Sequence, residues 1–428
     1  MHGRDFDINI EGISKIEGHA ALTVSVRDNI VQSAKLVINE NKRFYTQAVR
    51  GKPFNTVPQL VSRICGTCSI AHLTCCMEAV ENAVGFAPSA QTAALRKLNN
   101  MGLWIRDHAM HLYLFCMPDI FGKDSVFEFK GEEEKWVKDC FEVKKAGNEL
   151  CTKIAGRAIH STFQNVGYFS NTPKKEDARA LVVQLNTVRP KVLELIELFS
   201  KQPFSFETDS NFVSLMSEDY TYTGNKLCDS NGLCIPESNF FNHLHRVVMP
   251  YSQATGFVLD LKGYSVGALA RTNTNKEHLH RETKKDCKKY LTRFPSHDVF
   301  LSNLAQAIEI LHSIDYSCEL LEGMEFTDEE KKPILPKEGV GVGAIEAPRG
   351  VLYYEVKLGK EGKVIDANLV IPTAQNQIQI EHDIARLVQS HIHLDEHTIE
   401  HDIEKLIRAY DPCMSCATHF LKVKWNRK

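Results

Sequence analysis

No stretch of the chain holds the roughly 18 consecutive apolar residues that a membrane span requires. Its opening, MHGRDFDINIEG, lacks the apolar segment of a secretory leader. Both absences point to a soluble protein. Lys and Arg form no concentrated run and the formal charge is −3, which argues against nucleic acid as the main partner, because phosphate binding needs a basic surface. Cysteine is plentiful at 13, yet odd in number and scattered, a pattern that disfavours a disulfide framework and indicates reduced thiols in a cytosol-like compartment. Apart from two Cys-x-x-Cys pairs, no cysteine array could ligate iron–sulfur clusters. The remainder is ordinary globular composition, 43% hydrophobic and 25% charged over 428 residues, long enough for a large core and, by length alone, two or three domains.

The two pairs lie almost a whole chain apart. Near the start stands Arg63-Ile64-Cys65-Gly66-Thr67-Cys68, with His72 four residues on; near the end stands Asp411-Pro412-Cys413-Met414-Ser415-Cys416, with His419 three residues on. A zinc ribbon places its pairs about 15 to 20 residues apart, so a local zinc knuckle is disfavoured. Each pair alone could be a redox dithiol at a helix start or two buried thiols. The approach to the second pair is ordered: Ile399, Ile403, Leu406, Ile407 and Tyr410 recur at helical spacing, and Pro412 stops the helix where the cysteines begin.

Together these motifs, R-I-C-G-x-C and D-P-C-x-x-C-x-x-H, resemble the signatures of the large, catalytic subunit of nickel-iron hydrogenases. The resemblance implies that Cys65 and Cys413 are terminal nickel ligands, that Cys68 and Cys416 bridge nickel to iron, and that iron carries carbon monoxide and cyanide. Four thiolates suit a soft metal. Further matches carry further roles. Lys15-Ile16-Glu17-Gly18-His19 resembles the family's R-[IV]-E-G-H, which makes Glu17 the first proton relay, with lysine in place of arginine. Asp107, on an otherwise apolar helix where an unpaired carboxylate is costly, resembles an aspartate over the metals, and Asp411 belongs to the same layer. Pro348-Arg349-Gly350 resembles the A-P-R-G element whose arginine hangs over the metal pair. Thr373, after Pro372, takes the place of a residue that hydrogen-bonds an iron ligand. A family glutamate binds magnesium beside the C-terminal histidine. Thr46 stands in its place, and a hydroxyl is a poorer ligand for a hard cation, which counts against magnesium even though His419 is present.

Elsewhere the pattern predicts an α+β, mainly α-helical fold. A β-hairpin is expected within 7–38, where Leu22, Val24 and Val26 alternate with polar residues and Arg27-Asp28-Asn29 turns. Helices are expected after Cys68, from Leu95 to Cys116, over 132–160, and over 174–200 with an interruption at Pro190, forming a central bundle. Residues 202–245 read as loop, with Cys228 and Cys234 as reduced thiols around an Asp-Ser-Asn-Gly turn. YSVGALARTN at 264–273 resembles another family stretch but assigns Arg271 no role. Strands return from Gly341, and Asp395 is expected to cap a helix whose His397 and His401 face solvent. The chain is expected to form one large-subunit unit: a β-rich part at 1–60, a helical bundle at 61–200, a hairpin region at 340–375, C-terminal helices with the metal motif at 376–419, and a basic tail at 420–428 that maturation could remove.

The implied activity is reversible heterolytic oxidation of H2, with electrons passing to an iron–sulfur small subunit and further electron-transfer subunits, in the cytoplasm. Two other readings compete: a structural or electron-transfer subunit with a four-cysteine zinc site, and a quinone-side respiratory subunit of related fold. The second type has lost the metal cysteines, and the first has no need of Glu17, Asp107 and Arg349.

Overall fold

The computed structural model describes residues 4–40 and 44–418. Three antiparallel strands open it, β1 (Phe6–Ile10), β2 (Ala20–Arg27) and β3 (Ile30–Ile38), paired in that order. Leu22, Val24 and Val26 point into a core, and Asp28 and Asn29 turn the chain with φ of 52° and 63°, a conformation these residue types tolerate.

Four long helices follow: α1 (Ser69–Val84), α2 (Ala90–Met110), α3 (Glu134–Ala155) and α4 (Lys175–Ser200). Ser89 caps α2 by accepting from the Thr92 N–H, and beyond Met110 the helix widens into a π-helical segment, His111–Cys116. α3 stops at Gly156 in the left-handed conformation, short of the expected 160. α4 runs unbroken through Pro190, contrary to the expected interruption. The proline lies on the exposed side, where water can satisfy the freed carbonyl, while Leu185, Val188, Val192, Leu195 and Ile196 keep the buried face continuous across it.

The region read as loop holds strands β4 (Asn211–Met216), β5 (Lys226–Asp229) and β6 (Cys234–Pro236), and β7 (Tyr264–Ser265) adds to β4 in parallel. β5 and β6 span only four and three residues, too few for alternation to stand out. Their register sets Cys228 opposite Cys234, and the two form a disulfide, a correction to the reduced thiols expected there. The other cysteines are free. α5 (Ala268–Asn275) leads to α6 (Leu301–Gly323), which is buried along most of its length and packs against α2 and α4 to complete the bundle.

Strands β8 (Gly339–Ala347), β9 (Gly350–Leu358) and β10 (Val364–Val370) form a second antiparallel sheet, and Pro348-Arg349 is the tight turn between the first two. α1 lies on β8 backbone to backbone. A Cβ at Gly341 would fall 2.0 Å from the Ala79 carbonyl oxygen, and one at Gly343 would fall 2.3 Å from that of Cys75. Two residues along the strand step back one turn of the helix, so the strand's end reaches the start of α1, where Cys68 sits. Finally α7 (Pro372–His391), α8 (Glu396–Ala409) and the single turn α9 (Met414–Ala417) close the chain. Asp395 caps α8 as expected, accepting from the Thr398 N–H. Two apolar clusters result: a large one around the bundle and second sheet, and a smaller one joining the first sheet to α7 and α8. Cys413 and Cys416 belong to the large cluster, Met414 and Ala417 to the small one, so the last motif lies in the seam.

Candidate metal centre

The four motif cysteines are delivered by three backbone devices. A short 3-10 turn, Ser62–Ile64, ends in extended Cys65, and Cys68 begins α1. On the other side α8 ends, Asp411 takes φ of 48°, Pro412 prevents any helical continuation, and extended Cys413 opens α9. All four Sγ atoms lie within 4.8 Å of one another, buried. The Cys68–Cys416 and Cys413–Cys416 separations are 2.9 and 2.8 Å, and Cys65–Cys413 is 3.6 Å. The two shorter distances exceed a bonded S–S length of about 2.05 Å. Convergence on a common cation accounts for this packing of thiol sulfurs. Charge leads to the same requirement. Burial pushes the Cys68 thiol up to about 11 and those of Cys413 and Cys416 well above the ordinary range, while hydrogen bonds from the other three sulfurs hold Cys65 well below it. Burial thus disfavours charge on Cys68, Cys413 and Cys416, and a bound cation would offset that cost.

The carboxylate of Glu17 flanks the cluster, with Oε2 3.0 Å from Cys413 Sγ and Oε1 3.8 Å from Cys65 Sγ. Its place is fixed by two backbone bonds, Ser415 N–H to Oε2 and Met414 N–H to the Glu17 carbonyl. Burial first, and the neighbouring Cys65 charge second, raise its affinity for a proton. Across the cluster Arg349 Nη1 donates to Asp107 Oδ2 at 2.7 Å and Nη2 lies 3.1 Å from Asp411 Oδ1. Burial opposes the Arg349 charge, yet Asp107, Asp411 and the cysteines more than offset it. Gln306 of α6 donates to Asp411 Oδ2. Thr373, in the first turn of α7, accepts the Cys413 N–H on Oγ1 at 2.9 Å. Pro348, Arg349, Leu352, Ala71 and Thr373 help wall a small cavity beside Cys68 and Cys416. Arg349 Nε is buried and has no hydrogen-bond partner among the described residues. A mostly apolar wall with an unpaired cationic donor fits small polar ligands on a metal.

The chain matches the family model of nickel-dependent hydrogenases over residues 43–171 and 260–419. It belongs to the nickel-dependent hydrogenase family. Sulfhydrogenase 1 subunit alpha of Pyrococcus furiosus is 30% identical over 426 residues, covering 97% of this chain and 98% of the relative. NAD-reducing hydrogenase HoxS subunit beta of Cupriavidus necator is 26% identical over 465 residues, covering 96% and 94%. Among solved structures, an NAD+-reducing [NiFe]-hydrogenase in the H2-reduced state superposes with a TM-score of 0.84 at 25% identity, covering 97% of this chain and 99% of the other.

Within this hydrogenase chain, the residues expected from sequence meet around one point: Cys65, Cys68, Cys413 and Cys416 at the centre, Glu17 on one side, Arg349, Asp107 and Asp411 on another, Pro348 and Thr373 on the cavity wall. His419 lies outside the described residues, as does the 420–428 tail, and Thr46 is buried in the short helical turn Tyr45–Ala48. The structure adds neighbours to which the sequence assigned no role. His72 Nε2 is 3.6 Å from Cys416 Sγ, and its Nδ1 is 2.6 Å from the buried Tyr354 hydroxyl. Arg106 of α2 donates to the Thr67 carbonyl between the first two cysteines. Only for His72 did the sequence carry a signal, its position one turn past Cys68 on α1.

Proposed function

We propose that this protein is the H2-splitting subunit of a [NiFe] hydrogenase, acting at the four-cysteine cluster with Glu17 as its first proton acceptor. The observation that carries the reading is the convergence of four buried sulfurs from opposite ends of the chain with a carboxylate oxygen 3.0 Å from one of them. Cys65 and Cys413 would hold nickel alone and Cys68 and Cys416 would hold nickel and iron together. Such a pair, its iron carrying carbon monoxide and cyanide, supplies when bound the Lewis acidity and electron capacity for heterolytic cleavage of H2 into two protons and two electrons.

The protein residues do the remainder. Glu17 Oε2 takes a proton across its 3.0 Å contact with Cys413 Sγ, and its raised proton affinity lets it hold that proton before passing it outward. Arg349, fixed by Asp107 and Asp411, keeps a permanent positive charge in a dry cavity, where it stabilises developing negative charge without reorganising. The Thr373 hydroxyl, having accepted the Cys413 N–H, retains its own proton and would donate it to a polar ligand on the iron. Electrons leave to an iron–sulfur small subunit, since the described residues offer no cluster-binding cysteine array beyond the four motif cysteines. No helix among the described residues is long and apolar enough to cross a membrane; a cytoplasmic location and further electron-transfer subunits are part of the same proposal. Expression with the matching maturation system and partners tests the reading. Nickel and iron in equal amounts, with infrared bands of bound carbon monoxide and cyanide, are expected. Zinc alone, without those bands, would replace it with the structural-zinc reading.

A further inference from the structure

The centre's arginine depends on a second arginine that the mechanism above does not use. Arg271, on α5, is buried, and each of its five N–H groups has a separate acceptor. Nε and Nη2 bind Glu309 of α6 at 2.7 and 2.8 Å; Nη1 binds Glu346 of β8 at 2.8 Å and the Ala347 carbonyl at 3.0 Å; Nη2 also binds the Pro348 carbonyl at 2.9 Å. The last two acceptors are the backbone of the turn that presents Arg349. The guanidinium stands 4.8 Å above the Trp104 ring, and Trp104 Nε1 donates to the Glu346 carbonyl. On α2, Asp107 holds Arg349 while the adjacent His108 places Nε2 2.9 Å from Glu309 Oε2, so one helix turn braces both arginines. The preceding segment closes on the same turn: a Cβ at Gly350, where φ is 122°, would meet Val266 Cγ2 at 2.5 Å and the Gly267 nitrogen at 2.7 Å.

We infer that Arg271 is a positioning residue for H2 cleavage, clamping the Ala347 and Pro348 carbonyls so that the Arg349 guanidinium stands at a fixed distance from the cysteines. This rests on the hydrogenase reading. A lysine keeps the charge but offers three donors from a single point, and cannot serve two carboxylates and two carbonyls at once. The turn is then free to shift, and a displacement of about 1 Å at a catalytic group can cost on the order of 100-fold in rate.

The test compares the metal-loaded complex as wild type, R271K, R349K and the double variant. R271K is expected to keep wild-type nickel and iron, to lose about 10- to 100-fold in kcat with little change in KM for H2, and to displace the infrared carbon monoxide and cyanide bands. In the double variant the loss should not exceed that of R349K, because Arg271 acts through Arg349. Wild-type kcat and bands in R271K, or losses that multiply in the double variant, would overturn the inference. Should R271K fail to load metal, E346Q, which weakens the hold on Nη1 at constant volume, carries the same measurements. Metal loss in both would assign Arg271 to folding and also overturn it. A wild-type complex without the infrared bands would instead overturn the hydrogenase reading.

Discussion

Glu17 shows how little a residue's chemistry can be seen before its neighbours are known. A lone glutamate beside glycine is ordinarily a solvated side chain; here it is half-buried, its carboxylate held against Cys413 and fastened by the Ser415 N–H. Replacing it with glutamine keeps the size and the acceptor oxygen but removes the capacity to bind and release a proton. Glu17→Gln should therefore retain nickel, iron and the infrared bands while H2 oxidation falls by about 100-fold or more; full turnover in a metal-loaded variant would sink the relay. Thr373→Val, nearly isosteric, removes both the acceptor for the Cys413 N–H and the hydroxyl proton facing the cavity. Its expected signature is a shift of the cyanide bands with metals retained, and unchanged bands would remove Thr373 from the ligand wall. Glu17, Asp107 and Arg349 were legible only through their flanking motifs. Arg271, Tyr354 and Gln306 were not legible at all, because each takes its meaning from a contact with a distant element.

Elements were easier to read than residues wherever one face is buried and the other wet. α8 is such a case: Ile399, Ile403, Leu406 and Ile407 line its inner face and Asp395 caps it. Pro190 and the strands of 211–236 were misread for opposite reasons. The proline acts on the solvent side of a helix held by its other face, and the strands are too short to show a period. The joint between elements was invisible. Asp119, in the helical turn that follows the π segment, receives a bidentate pair from Arg408 Nε and Nη2 at 2.7 and 3.0 Å, and Lys15 Nζ at 2.7 Å. Lys15 lies two residues before Glu17 and Arg408 three before Asp411, so one carboxylate ties both flanks of the centre to the bundle. Asp119→Ala removes the bidentate partner of the buried Arg408, which keeps only Glu404 at 3.1 Å as a carboxylate, and should cost about 1 to 3 kcal/mol. Thermal or denaturant unfolding of the complex, compared with a nickel assay, would show lower stability together with poorer metal loading. Unchanged values for both would mean the joint is dispensable.

At the scale of the whole molecule, the metal motif closes the fold as well as holding the metal. α9 is a single turn, far too short to persist by itself. It is held between the two apolar clusters by Cys413 and Cys416 on one side and Met414 and Ala417 on the other. Its remaining tethers are few: the Cys413 N–H to Thr373, the Met414 and Ser415 N–H groups to Glu17, and the sulfurs themselves. Burial disfavours the thiolate form of Cys68, Cys413 and Cys416, so metal–thiolate bonds would add substantially to these tethers. Metal binding should therefore stabilise this closure much more than it stabilises the first sheet, whose strands are paired independently of the cysteines. Hydrogen–deuterium exchange can read the difference. In protein produced without nickel, the amides of Cys413 to Thr418 should exchange at least about tenfold faster than in the loaded protein, corresponding to about 1.4 kcal/mol of local opening, while β2 and β3 exchange alike in both. Equal protection of the C-terminal turn with and without metal would show that protein contacts alone hold the centre closed.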